Sequence, residues 1–136
     1  MKYLYILRGP FGTGKTEFIR TLLANDNIVS CWDYYRQYGQ NRWNEKLKPY
    51  ADEYCRNGVK NLMEQGADKI AVTNSFSKCE DMEYFYQLAE QHQYTVFSMV
   101  MTNQCCDEYK KNVPDHVIQD QTERLTADMK FYSIIS

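Results

Sequence analysis

The amino-acid sequence predicts a three-layer α/β fold, a parallel sheet with helices packed on both faces. Three observations carry this. Short apolar segments alternate along the chain with stretches whose apolar residues recur at helical spacing. The connections between successive strands are long enough for helical crossovers, which parallel neighbours require. The first apolar segment runs directly into a glycine-rich turn, residues 9–16, that opens a helix.

The elements follow in order. Residues 2–7 form the first strand. A helix over 16–24 carries Phe18, Ile19, Leu22 and Leu23 at helical spacing. Asn25-Asp26-Asn27 is a turn, and 28–30 is a short strand ending near Asp33. A polar, aromatic loop continues through Gly39 to Asn44. The second helix fills much of 45–65, with Tyr50, Tyr54, Val59, Leu62 and Met63 as core positions. Pro49 marks its first turn or a break, and Gly66 ends it. Strand three is 69–73. Ser77-Lys78-Cys79-Glu80 has the form of a capping box. It starts a helix that runs to 93, with Met82, Phe85, Tyr86 and Ala89 on one face. Strand four is 94–101. After a loop over 102–112 a last helix begins at Pro114, whose missing N–H is tolerated in a first turn. The tail, 130–136, reads either as a last strand or as a frayed end.

At 136 residues the chain is expected to form one domain over 1–136. A net charge of −2 from 16 basic and 18 acidic residues argues against a protein that coats nucleic acid electrostatically. A local basic stretch remains: residues 36–60 hold Arg36, Arg42, Lys46, Lys48, Arg56 and Lys60 against Glu45, Asp52 and Glu53. The five cysteines form no C-x-x-C pair, and Cys105 and Cys106 are adjacent. Reduced thiols in a cytoplasmic protein are expected, in a host cytosol if the chain is phage-encoded. No leader is expected, and no apolar stretch approaches the length of a membrane span. Two isolated histidines, His92 and His116, make a poor metal set. The sequence carries no signal of oligomeric state.

Residues 9–16 read Gly9, Pro10, Phe11, Gly12, Thr13, Gly14, Lys15, Thr16, a complete G-x-x-x-x-G-K-[ST] loop. The glycines let the backbone wrap a phosphate, so that successive N–H groups point inward. Lys15 brings a mobile positive charge to the β and γ phosphates, and Thr16 supplies a hydroxyl for Mg²⁺. The helix that starts there adds its positive end. The expected architecture is therefore the kinase-like P-loop NTPase fold, with a nucleoside triphosphate bound at the carboxyl ends of the strands.

Absences narrow the use of that loop. A GTPase would carry an Asn-Lys-x-Asp guanine reader and an Asp-x-x-Gly switch, and the sequence has neither. A large mechanochemical ATPase would need a second helical domain. A small kinase or a nucleotide-binding module is left. A hydroxyl kinase needs a carboxylate to take the hydroxyl proton, cations around the moving phosphoryl group, and a lid against water. Asp33, past the second strand, is the candidate base, and Arg36 can grip an acceptor phosphate. Lys110 and Lys111 in the 102–112 loop are candidate lid cations. Trp32 and Trp43 flank Asp33, with Tyr34, Tyr35 and Tyr38 between. They either pack the loop or form a platform for an acceptor base.

The phosphate loop, Asp33-Tyr34-Tyr35-Arg36-Gln37, Ala71-Val72-Thr73-Asn74-Ser75-Phe76-Ser77 with Glu80 and Met82, and Asn112-Val113-Pro114 with Val117-Ile118 occur in this order. Together they resemble the 5′-hydroxyl polynucleotide kinase domain of phage and related P-loop kinases. The resemblance implies an ATP- and Mg²⁺-dependent kinase acting on a hydroxyl of DNA or RNA. It also implies Asp33 as general base and Arg36 on the acceptor phosphate; Thr73, Asn74 and Arg42 are further acceptor-side candidates. Two departures stand out. Thr73 occupies a position where family members often carry Asp, and the family's lid arginine has no certain counterpart, Lys110 or Lys111 being the substitutes. A 5′-OH end, a hydroxymethylated base in DNA and a free nucleotide are all compatible acceptors. The competing expectation is an ATP-binding switch or weak ATPase.

Overall fold

The computed structural model describes residues 1–101 and 112–135, with side chains through Met129. Four strands, β1 (Tyr3–Arg8), β2 (Ile28–Ser30), β3 (Lys69–Asn74) and β4 (Thr95–Val100), form one sheet in the order β2-β3-β1-β4. Every neighbouring pair is parallel. The helices are α1 (Lys15–Ile19), α2 (Trp32–Tyr38), α3 (Lys48–Glu64), α4 (Glu83–His92) and α5 (Asp115–Ile135). The predicted three-layer α/β architecture is the one observed.

Side-chain alternation along the strands builds the layers. Leu4 and Ile6 of β1, Val29 of β2, and Ile70 and Val72 of β3 share a core with Ala51, Cys55, Val59 and Met63 of α3 and with Phe85, Leu88 and Ala89 of α4. Leu7 and Ala71 point the other way and pack on Ile19 and Leu23. The two strand registers Leu7↔Thr73 and Ser30↔Thr73 bring the carboxyl ends of β1, β2 and β3 level with one another, the usual ligand edge of a parallel sheet.

Several elements differ from expectation. The first helix stops at Ile19 rather than near residue 24. Two of the following amides fold back three residues instead of four, Thr21 N–H to Phe18 O and Leu22 N–H to Ile19 O. The Thr21 hydroxyl also donates to Phe18 O at 2.6 Å, so the carbonyl that would extend the helix is taken. Phe18 and Leu22 are left exposed. Residues 32–38, expected as a loop, form α2, with Trp32 and Tyr35 buried one turn apart and Gly39 N–H closing on Tyr35 O at 2.8 Å.

In α3, Pro49 sits in the first turn rather than at a break. Its buried stripe is Ala51, Cys55, Val59 and Met63, while Tyr50 is 58% exposed. The small residues let the helix lie close to the sheet. The α4 cap forms one residue later than the Ser77–Glu80 box: the Asp81 carboxylate accepts from the Lys78 N–H at 3.2 Å, and a 3₁₀ turn, Cys79–Met82, leads into the helix. Ser77 is buried instead. Leu88, not Tyr86, joins Phe85 and Ala89 in the α4 stripe. The tail through Ile135 is helical, continuous with α5, so neither a last strand nor a frayed end is present there. No helix among the described residues is long and apolar enough to cross a membrane.

Candidate phosphate-binding site

The glycine-rich loop joins β1 to α1 at the level edge of the sheet. Gly14 is the residue before α1 and has φ +80°, a left-handed conformation that a Cβ penalises. Gly9 is required for closeness: a Cβ there would collide with the Met101 carbonyl oxygen. The loop is tied down by Gly9 N–H to Ser75 O at 3.1 Å and by the Thr13 hydroxyl to Pro10 O at 3.1 Å. Phe11 packs edge-on against Trp32 and Tyr35 of α2, so the third loop residue anchors it to the next helix.

Lys15 and Thr16 are the first two residues of α1. The Lys15 ammonium donates to Gly9 O at 2.7 Å and Pro10 O at 3.0 Å, and it lies 5.8 Å from the Phe11 ring centroid. It is 8% exposed. Burial pulls its pKa down to about 8, against the opposing pull of Cys31 and Glu17. The loop's own carbonyls thus hold the Lys15 ammonium at the mouth of the loop.

The cleft in front of the loop is lined by Gly12, Gly14, Lys15, Thr16, Ser30, Trp32, Thr73 and Asn74 among others. Thr16 Oγ1 and Thr73 Oγ1 lie 3.3 Å apart. Mg²⁺ takes few protein ligands and completes its shell with phosphate oxygens and water. A hydroxyl pair of this kind fits that demand, and no cluster of three or more His, Cys, Asp or Glu able to hold a metal occurs among the described residues.

The remaining expected residues are distributed as follows. Asp33 and Arg36 stand one turn apart on α2 and form an ion pair with side chains 29% and 56% exposed. They are not among the residues lining the phosphate cleft. Asn74 is, and it also borders the hollow next to it. Arg42 lines a separate hollow with Tyr38, Trp43 and Pro114. Trp32 is buried, and its indole N–H donates to Asn41 Oδ1 at 2.9 Å, so it packs α2 rather than offering an open stacking face. Lys110 and Lys111 lie outside the described residues, as does most of the expected lid.

Four further contacts surround the loop and the β3 end. Asp52 of α3 accepts from Lys48 Nζ at 2.8 Å and from Asn74 Nδ2 at 3.2 Å. Gln121 Oε1 of α5 accepts from the Phe11 N–H of the loop at 3.1 Å. Arg8, the residue before the loop, pairs with Asp128 of α5 at 2.9 Å. Only Arg8 left a trace in the sequence, a charge at the end of a strand otherwise suited to burial.

No protein-family model matches the chain. Over 97 residues, 68% of its length, it is 32% identical to human NEDD4-binding protein 2, and it spans 5% of that relative. Among solved structures it resembles one from the Pnkp1/Rnl/Hen1 RNA repair complex, with a TM-score of 0.69 at 17% identity over 95% of this chain and 45% of that one. It also resembles the APS kinase CysC of Mycobacterium tuberculosis, with a TM-score of 0.50 at 13% identity over 95% of this chain and 97% of that one. The fold is that of the kinase-like P-loop NTPases.

Proposed function

We propose that the chain is an ATP-dependent kinase that transfers a phosphoryl group to a hydroxyl of a polynucleotide or nucleotide, in the manner of the 5′-hydroxyl polynucleotide kinases. The observation that carries this is the convergence of Lys15, Thr16, Ser30, Thr73 and Asn74 on one cleft; Asp33 and Arg36 lie outside its lining, on the helix that follows β2. The RNA-repair likeness agrees with a nucleic-acid acceptor.

In this reading the loop amides of residues 12–16 and Lys15 hold the triphosphate. Magnesium, held through the Thr16 hydroxyl with Thr73 beside it, would offset charge on the β and γ phosphates. Asp33 accepts the proton of the attacking hydroxyl, and Arg36 moves from Asp33 to the acceptor phosphate. An exposed ion pair is worth about 0–1 kcal/mol, so a bidentate arginine–phosphate contact displaces it readily. A lid cation, Lys110 or Lys111, completes the charge around the moving group.

One observation favours a second reading. The carboxyl end of β3 offers Thr73 in place of an acid, which suits an ATP-binding switch with weak hydrolysis. γ-Labelled ATP separates the two. It is incubated with 5′-OH DNA and RNA oligonucleotides, with DNA containing hydroxymethylated bases, and with free nucleotides. A labelled acceptor supports the kinase and names its substrate. Release of inorganic phosphate with every acceptor unlabelled supports the switch.

A further inference from the structure

We infer that Asp52 is a positioning residue of the phosphoryl-transfer site: its carboxylate fixes the Asn74 amide at the cleft. The inference rests on the kinase reading above.

Asn74 is the last residue of β3 and borders both the phosphate cleft and the adjoining hollow that contains Asp52. Its side chain is pinned at both ends. Oδ1 accepts from the Ser75 N–H at 2.7 Å, and Nδ2 donates to Asp52 Oδ1 at 3.2 Å. A backbone N–H can only donate and a carboxylate can only accept. The two partners therefore dictate the same amide orientation. An amide nitrogen carries two hydrogens, and among the described residues Asp52 is the single side-chain partner of this one. Asn74 also lines the phosphate cleft, so the amide fixed in this way stands at its edge.

Asp52 is itself held. Lys48 Nζ lies 2.8 Å from Oδ2, and the Cys31 thiol lies 4.0 Å from Oδ1. On a helix, a basic residue four positions before an acidic one is the weaker order for an ion pair, so Lys48–Asp52 adds little to α3. Its evident consequence is at the β3 end, where it keeps the carboxylate against Asn74.

The test is a double-mutant cycle between Asp52→Ala and Asn74→Ala, read by single-turnover transfer from γ-labelled ATP, by ATPγS affinity and by thermal midpoint. Asp52→Ala removes the acceptor that orients the amide, whereas Asp52→Asn keeps an accepting oxygen there. Asp52→Ala should slow transfer by about 10–100-fold while ATPγS affinity stays within about threefold, and Asp52→Asn should retain most of the rate. In the Asn74→Ala background Asp52→Ala should cost less than about threefold, because the group it positions is gone. Equal losses in both backgrounds overturn the inference, as does a fall in thermal midpoint or nucleotide affinity that accounts for the lost rate. Unchanged transfer in Asp52→Ala overturns it while leaving the kinase reading intact. A wild-type protein that binds ATPγS but labels no acceptor overturns the kinase reading and this inference with it.

Discussion

Arg8 and Asp128 stand 120 positions apart and meet at 2.9 Å. Arg8 is 3% exposed and serves two further contacts, its Nε and Nη2 donating to Phe76 O at 3.1 and 2.9 Å. Asp128 Oδ1 accepts from the Cys79 N–H at 3.3 Å. One guanidinium and one carboxylate thus tie together the end of β1, the β3–α4 connection and α5. Phe76 sits at φ +42°, a conformation uncommon outside glycine, and the double contact to its carbonyl holds it there. The loop that would carry phosphates begins at the next residue after Arg8, so its base is braced by this network.

Removing the acid should be costly. Asp128→Ala leaves a buried guanidinium with only a carbonyl for company, and the expected loss is about 2–3 kcal/mol in urea unfolding. Protonation should act in the same direction. Burial pushes the Asp128 carboxyl up, but its hydrogen bonds to Arg8 and Cys79 outweigh that and hold it below the ordinary 3.8. A carboxyl depressed in the folded state stabilises it above the unfolded pKa and stops doing so as pH falls through the folded one. The stability gap between wild type and Asp128→Asn should therefore be constant above about pH 5 and shrink below about pH 4. A gap unchanged down to pH 3 would contradict the pairing.

Lys15 predicts a pH dependence at the other end of the scale. Its pKa of about 8 reflects burial, and bound phosphates would raise it by opposite charge. Binding a nucleotide then takes up protons near pH 8, and affinity should weaken as pH rises from 7 to 9. Titration calorimetry in buffers of different ionisation enthalpy reads the uptake directly. Lys15→Met should abolish the uptake and weaken binding by about 10–100-fold, the range of a charge-assisted contact.

Gly9 gives a purely steric prediction. Its Cβ position is occupied by the Met101 carbonyl oxygen, which is backbone and cannot swing aside. Gly9→Ala should lower stability by more than about 2 kcal/mol and impair nucleotide binding together with it. Gly66→Ala offers a control. Its Cβ meets nothing within 4 Å, although its φ of +76° still carries backbone strain, so it should spare the phosphate loop.

The parts of this protein that were legible in the sequence share a local cause. The phosphate loop is fixed by residue types at adjacent positions, and the strands by short apolar runs. The α2 helix was not legible, because its burial comes from Trp32 and Tyr35, aromatic residues in a polar stretch, with no aliphatic repeat. In α3, Val59 and Met63 face the core as expected, and only the N-terminal part of the stripe differs, for a related reason. Tyr50 looked like core, but Ala51 and Cys55 are the residues small enough to face the sheet. Asp52, Gln121 and Asp128 act through partners far away in sequence. Nothing near them in the chain announces a role. The Asp33–Arg36 pair was legible as a pair from its spacing, whereas its separation from the phosphate-cleft lining needed the fold.

That separation shapes the last prediction. Asp33 sits in the first turn of α2 with Arg36 as counter-ion. If it takes the acceptor proton, its effect is confined to the chemical step. Asp33→Asn should then reduce transfer by about 100-fold or more with ATPγS affinity unchanged. Arg36→Lys keeps the charge but loses the planar fork, and should raise the KM for a phosphate-bearing acceptor more than it lowers kcat. The pair also offers an internal check, because α2 is braced by Trp32, Tyr35 and Phe11 rather than by this ion pair. Neither substitution should move the thermal midpoint by more than the change expected for an exposed pair, about 1 kcal/mol or less. Transfer retained at the wild-type rate in Asp33→Asn would remove Asp33 from the mechanism and leave the search for the base at the carboxyl end of β3.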